Sequence, residues 1–210
     1  VLYNGFLSGV ALSGDRFFYR NPLASKGGYQ RSAWFDCACC PTNVVRFLAG
    51  LGGYVYGRGP GRIYVNLFIG GTGVVELARN RVKITQRTRY PWDPLVQLEL
   101  EPDRPGPFTL LLRIPGWARG RPTPSDLYRY LETPTEPVLL KVNGRESKLA
   151  MERGYARLER RWKPGDTIEI EHFYIKPYQD MKICLHALNA MLTLLMPFLK
   201  GISAKTLGIG

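Results

Sequence analysis

Apolar Val96, Leu98 and Leu100 alternate with polar Gln97, Glu99 and Glu101, the period-two signature of a strand with one buried face. Related patterns surround it. Residues 63–69 form a nearly continuous apolar run, which predicts a buried strand. Residues 74–77 and 82–88 flank Arg79-Asn80, a turn between two strands. Residues 108–114 predict another strand, stopped by Pro115-Gly116. Residues 139–142 run into Asn143-Gly144, a strong hairpin signal. Residues 155–162 and 167–173 are joined through Lys163-Pro-Gly-Asp166, again a turn. About eight short strands at this spacing predict an antiparallel β-sandwich.

The first 57 residues differ in kind. Two apolar runs around Ser13-Gly14-Asp15 predict a hairpin over residues 10–19, followed by a loop containing Gly27-Gly28. The stretch W-F-D-C-A-C-C-P-T-N occupies residues 34–43. Pro41 suits a first helical position, which makes Cys40 the expected N-cap. Val44, Phe47, Leu48, Leu51 and Val55 then fall on one helix face. Gly52-Gly53 weaken the end of that helix, and residues 57–61 read as a linker. The expected domains are therefore 1–57, a β-sandwich over 58–177, and an apolar tail over 178–210. The tail lacks alternation and is compatible with helix. Its uncharged run, residues 183–199, is short for a membrane span and is interrupted by His186, Asn189 and Pro197, so a membrane partner is not expected.

Composition changes this picture in two ways. The net charge is +12, but the basic residues are spread out and none forms an arm or a known reader, so nucleic acid is not expected. Four cysteines in 210 residues are too few for a disulfide scaffold. Three of them, Cys37, Cys39 and Cys40, fall within four positions. Neighbouring cysteines bond each other only with strain, so reduced thiols fit better.

A closed zinc module wants four ligands. Only Cys184, His172 and His186 remain to complete one, far along the chain. The start of a helix, by contrast, favours negative charge and suits a reactive thiol at Cys39 or Cys40. The competing reading is that these cysteines are small buried hydrophobes. The first 60 residues hold two carboxylates, Asp15 and Asp36, as local acid/base partners. Trp92, Trp117 and Trp162 are candidates for sugar stacking, although packing is the more frequent use of such residues.

Five segments, in order, carry a resemblance. They are LYNGFLSGVALSGDRFFYRNPL, WFDCACCPTNVVRFLAGLGGYVYG, IYVNLFIGG, VKITQRTRYPWD and FTLLLRIPGWA. Together they resemble glycoside hydrolase family 127, whose characterised members are β-L-arabinofuranosidases, over residues 2–171. The resemblance implies a mixed fold: the end of an (α/α)6 barrel, comprising hairpin, cysteine loop and helix, followed by the sandwich. It implies a retaining mechanism with Cys39 as nucleophile. It implies zinc held by Cys39 and Cys40, with a further glutamate and cysteine and the acid/base glutamate lying upstream.

On that basis Tyr19 lines the sugar subsite, Asn4 and Asn43 are motif residues, and Cys37 is the weaker candidate of the three thiols. This chain alone is then an inactive fragment that binds Zn2+ weakly or not at all. The implied partner is an arabinose-containing oligosaccharide or glycoconjugate, in a cytoplasmic protein that could form a homodimer. Residues 172–210 depart from the family pattern, as a frameshift or gene-end product would. The alternative function is a non-catalytic β-sandwich module for carbohydrate binding or assembly.

Overall fold

The computed structural model describes residues 9–11, 13–20, 26–37, 39, 41–90, 93–121 and 137–171. The chain divides into two compact units, the first running to Leu51 and the second beginning at Gly52. The boundary drawn at residue 57 from glycine content falls inside a strand, Tyr56–Gly59. The expected apolar tail, including residues 183–199 with Cys184 and His186, lies outside the described residues.

In the first unit the hairpin expected over residues 10–19 is held by isolated bridges rather than by paired strands. Val10 bridges Phe17, and Phe17 bridges Ser32 in turn. The turn closes by Gly14 N–H donating to the Ala11 carbonyl at 2.9 Å, and Gly14 takes a φ of 76° that most side chains resist. Helix α1, Pro41–Gly50, starts at the expected proline. It buries Leu48, and Leu51 just beyond it, while Val45 stays 66% exposed. The helix stops at Gly50, earlier than the apolar spacing out to Val55 predicts. Val55 belongs to a separate short helix, α2, Gly52–Val55. The glycines at 50, 52 and 53 account for the break, since each gives up more conformational freedom in a helix than alanine would.

The second unit is a two-sheet sandwich. Strands β1 Tyr56–Gly59, β2 Arg62–Val65, β6 Gly106–Arg113, β9 Met151–Glu152 and β10 Tyr155–Trp162 make one sheet, in the order β1-β2-β6-β10-β9. Strands β3 Gly71–Leu77, β4 Asn80–Thr88, β5 Leu95–Pro102, β7 Leu139–Val142, β8 Arg145–Glu146 and β11 Asp166–Glu171 make the other, in the order β3-β4-β5-β11-β7-β8. Alternate residues of both sheets meet in one core. It includes Ile63 and Val65 of β2, Ile84 of β4, Leu98 of β5, Leu110 of β6, Trp162 of β10 and Ile168 of β11. Strand β6 is buried on both faces from Phe108 to Leu112, which accounts for the consecutive Leu110, Leu111 and Leu112.

The sandwich departs from the antiparallel expectation at one pair. β2 and β6 run parallel, with Ile63 opposite Leu110 and Val65 opposite Leu112. A parallel pair needs a long crossover, and β3, β4 and β5 in the facing sheet supply it. The apolar run over residues 63–69 is also shorter as a strand than expected. β2 ends at Val65, and Asn66 N–H turns to the Val55 carbonyl at 2.9 Å.

The Asn143-Gly144 hairpin forms with both residues at positive φ, 52° and 73°, the geometry of a type I′ turn. The Lys163–Asp166 turn carries the chain from one sheet to the other rather than closing a hairpin. Trp162 is fully buried, stacks on Phe108 and donates its indole N–H to the Phe108 carbonyl at 3.0 Å. It is a core residue and not a sugar platform. Trp92 and the Trp117 side chain lie outside what is described.

Candidate active site

The hairpin sets Tyr19 against the cysteine loop. Phe17 and Ser32 exchange backbone hydrogen bonds of 2.9 and 3.0 Å, and Phe18 N–H donates to the Gly9 carbonyl at 2.9 Å. This pins the segment that leads into Tyr19. Aromatic edges then lock the two segments together. Phe17 meets Trp34 and Phe35 edge-on at 6.4 and 5.3 Å, and Tyr19 meets Phe35 edge-on at 5.4 Å, separations at which aromatic rings attract. Arg31 covers the Phe18 ring at 4.3 Å and donates to the Gly9 carbonyl at 3.1 Å.

The result is a tight group of three polar side chains. The Tyr19 hydroxyl lies 2.8 Å from Cys39 Sγ and 3.8 Å from Cys37 Sγ. Cys37 Sγ lies 3.3 Å from Cys39 Sγ. Both thiols are reduced and exposed, which rules out the reading of Cys37 and Cys39 as buried hydrophobes. Cys40, the expected N-cap and zinc ligand, lies outside the described residues, as does Asn4.

Residues of the first helical turn fix the backbone at Cys39. The Thr42 hydroxyl donates to the Cys39 carbonyl at 2.8 Å, and the Asn43 side-chain amide donates to the same oxygen at 3.4 Å. Arg46 reaches the Thr42 hydroxyl at 3.4 Å. Such back-bonding to a carbonyl three or four residues earlier is common for short polar side chains at helix ends. Asn43 therefore acts on the loop through the Cys39 backbone. Thr42 was not singled out from sequence, although a hydroxyl three residues after the thiol at a helix start is the signal that could have found it.

Two thiols and a phenol suit a soft or borderline cation such as zinc in donor type. In number they fall short, because no group of three or more His, Cys, Asp or Glu side chains gathers among the described residues. Of the two local carboxylates, Asp15 is ill suited to supply an acid. Asp15 is exposed, accepts a hydrogen bond from Ser13 and pairs with Arg16 at 3.8 Å. The Ser13 hydroxyl holds its carboxyl below the usual aspartate range, the wrong direction for a group that must donate a proton near neutral pH. Among the described residues no helix is long and apolar enough to cross a membrane.

Comparison with known proteins places these segments. The model described as the middle domain of GH127 beta-L-arabinofuranosidase matches residues 62–173. The model described as the GH127 beta-L-arabinofuranosidase catalytic domain matches residues 1–53. A non-reducing end beta-L-arabinofuranosidase from Bifidobacterium longum subsp. longum is 30% identical over 185 residues, covering 80% of this chain and 25% of that protein. A solved GH127 beta-arabinofuranosidase is 41% identical with a TM-score of 0.75, over 83% of this chain and 27% of its own. The GH127 beta-L-arabinofuranosidase from Geobacillus stearothermophilus T6 is 36% identical with a TM-score of 0.66, over 81% of this chain and 26% of its own. The chain spans about a quarter of the length of these relatives.

Proposed function

We propose a function from one premise: the chain belongs to glycoside hydrolase family 127. It is part of a retaining glycoside hydrolase that releases β-L-arabinofuranose from an arabinose-containing oligosaccharide or glycoconjugate, with Cys39 as nucleophile. The first unit is the end of the family's (α/α)6 barrel. The observation that supports this reading most is the Tyr19 hydroxyl 2.8 Å from the sulfur of an exposed cysteine two residues before α1.

A retaining mechanism needs a nucleophile on one side of the anomeric carbon and an acid/base on the other. Cys39 Sγ attacks the anomeric carbon and forms a thioglycosyl bond while an acid protonates the departing oxygen. Water then attacks the same carbon, and the sulfur leaves. The resemblance assigns the acid/base to a glutamate upstream of these segments, so this chain alone is expected to be inactive.

Tyr19 has a defined part in both steps. Its hydroxyl donates to the sulfur while the sulfur carries charge, and it is released toward the sugar once the carbon–sulfur bond forms. Thr42 and Asn43 hold the Cys39 backbone in the orientation that presents Sγ. Cys39 and Cys40 are the residues that would hold zinc. The ion, when bound, keeps a coordinating thiol ionised.

The test is Cys39→Ser in the full-length enzyme, assayed on an aryl β-L-arabinofuranoside. Turnover is expected to fall on the order of a thousandfold or more, as it does when a nucleophile is lost. Near-parental turnover would sink the assignment.

A further inference from the structure

Cys37 takes no part in the mechanism above, yet its Sγ lies 3.3 Å from that of Cys39 and within 3.8 Å of the Tyr19 hydroxyl. We propose that Cys37 and Cys39 are a hydroperoxide-modified pair, in which Cys37 resolves oxidation of Cys39 as a disulfide. Three observations carry this. The two sulfurs already touch, and reaching a bonded separation of about 2.0 Å needs a shift of roughly 1.3 Å. In this chain both thiols are exposed, open to a small peroxide and to a thiol reductant. The pair sits on a loop, outside helix and strand, where side-chain rotation closes the gap without breaking a backbone ladder.

The chemistry balances. Cys39 sulfur attacks one oxygen of hydrogen peroxide, a sulfur–oxygen bond forms, the oxygen–oxygen bond breaks and one water leaves. Cys37 sulfur then attacks the sulfenic sulfur of Cys39, the sulfur–sulfur bond forms, the sulfur–oxygen bond breaks and a second water leaves. The two thiols lose two electrons and two protons, and the peroxide is reduced to two waters. The bridge stops Cys39 short of sulfinic acid, a state thiols do not reverse. The exposed position of the bridge makes it the reducible kind. Its effect on catalysis rests on Cys39 being the nucleophile, but its formation does not.

The test uses the full-length protein, reduced and treated with a chelator so that no metal holds Cys39, then exposed to hydrogen peroxide, alkylated and digested with trypsin without reductant. One peptide, residues 32–46, carries Cys37, Cys39 and Cys40, and fragmentation locates the modified pair. The expected product is two hydrogens lighter, bridged between Cys37 and Cys39 with Cys40 alkylated, and it reverts with a thiol reductant. In Cys37→Ser that bridge is lost and Cys39 accumulates sulfinic acid that the reductant does not restore.

A dominant bridge to Cys40 in the parental protein, or equal sulfinic acid at Cys39 with and without Cys37, would overturn the proposal. The parental fragmentation pattern stands even if the variant fails to fold. Retained turnover in Cys39→Ser beside an intact Cys37–Cys39 bridge in the parental protein would defeat the nucleophile assignment and leave the bridge standing.

Discussion

The sandwich removes Ile63, Val65, Ile84, Leu100, Leu112, Trp162 and Ile170 from solvent completely. In the first unit, Leu48 and Leu51 are the buried apolar side chains among the described residues, and both thiols lie open to solvent. The sandwich meets solvent with paired charges, as where Lys83 meets Glu101 at 2.6 Å and Arg87 meets Glu99 at 2.9 Å. The thiol loop meets it with exposed thiols held by aromatic edges and single hydrogen bonds. On the proposed function, cohesion and chemistry are thus carried by different stretches of chain. Substitutions in one should move stability with little change in chemistry, and substitutions in the other the reverse.

Trp162→Ala is the strongest test of the sandwich side. It empties a fully buried site and removes the indole hydrogen bond to the Phe108 carbonyl, so a loss of about 3–5 kcal/mol is expected in chemical denaturation. A loss below about 1 kcal/mol would mean the core does not carry the cohesion assigned to it. Tyr19→Phe tests the other side. It removes the hydroxyl contact to Cys39 Sγ, which under the proposed mechanism is a hydrogen bond to a charged sulfur, a type of bond that contributes roughly 1.5–3 kcal/mol. Turnover of the full-length enzyme is expected to drop at least about tenfold while the melting temperature holds. Equal losses of both would show that Tyr19 is a packing residue.

The smallest effect is expected at Glu152, on the outer face of the five-stranded sheet. It accepts a hydrogen bond from Arg62 at 2.6 Å and also faces Arg157 at 3.3 Å. The Arg62 hydrogen bond, opposed by slight burial and helped by the arginine charges, holds its carboxyl below the usual glutamate range. A depressed carboxylate contributes stability above the unfolded value and loses it as pH falls through the folded value. The melting temperature of Glu152→Gln should therefore lie slightly below parental at neutral pH and converge with it in acid. A gap that widens in acid would reverse the sign. The carboxyl lies at the surface and is only partly covered, so the shift is expected to be slight.

Much of the sandwich was legible because its strands alternate or turn sharply in sequence. β5 shows its buried face in Val96, Leu98 and Leu100, and β7 ends where Asn143-Gly144 demands positive φ. The parallel β2–β6 pair was not legible, since Ile63 and Leu110 meet across 47 residues and local pattern carries no partner. The hairpin between β9 and β10 was missed because Arg153 takes a φ of 48° usually left to glycine or asparagine. Gly73 is silent in sequence, but a Cβ there would meet the Tyr56 ring at 2.5 Å.

At the site, spacing alone offered a reactive thiol near a helix start, and it was the likeness of whole segments that selected Cys39 and Tyr19. Their contact spans 20 residues and depends on the Phe17–Ser32 bridge, a tertiary feature. Thr42 and Asn43 act through a backbone carbonyl, which no residue pattern displays.

The central claim is that Cys39, and not a carboxylate or Cys37, bonds the sugar. The most direct measurement is to quench the full-length enzyme with acid during turnover of an aryl β-L-arabinofuranoside and fragment the peptide spanning residues 32–46 by mass spectrometry. The account predicts one pentosyl group on Cys39 Sγ. A pentosyl group on Cys37, or on a carboxylate elsewhere with Cys39 unmodified, would contradict it.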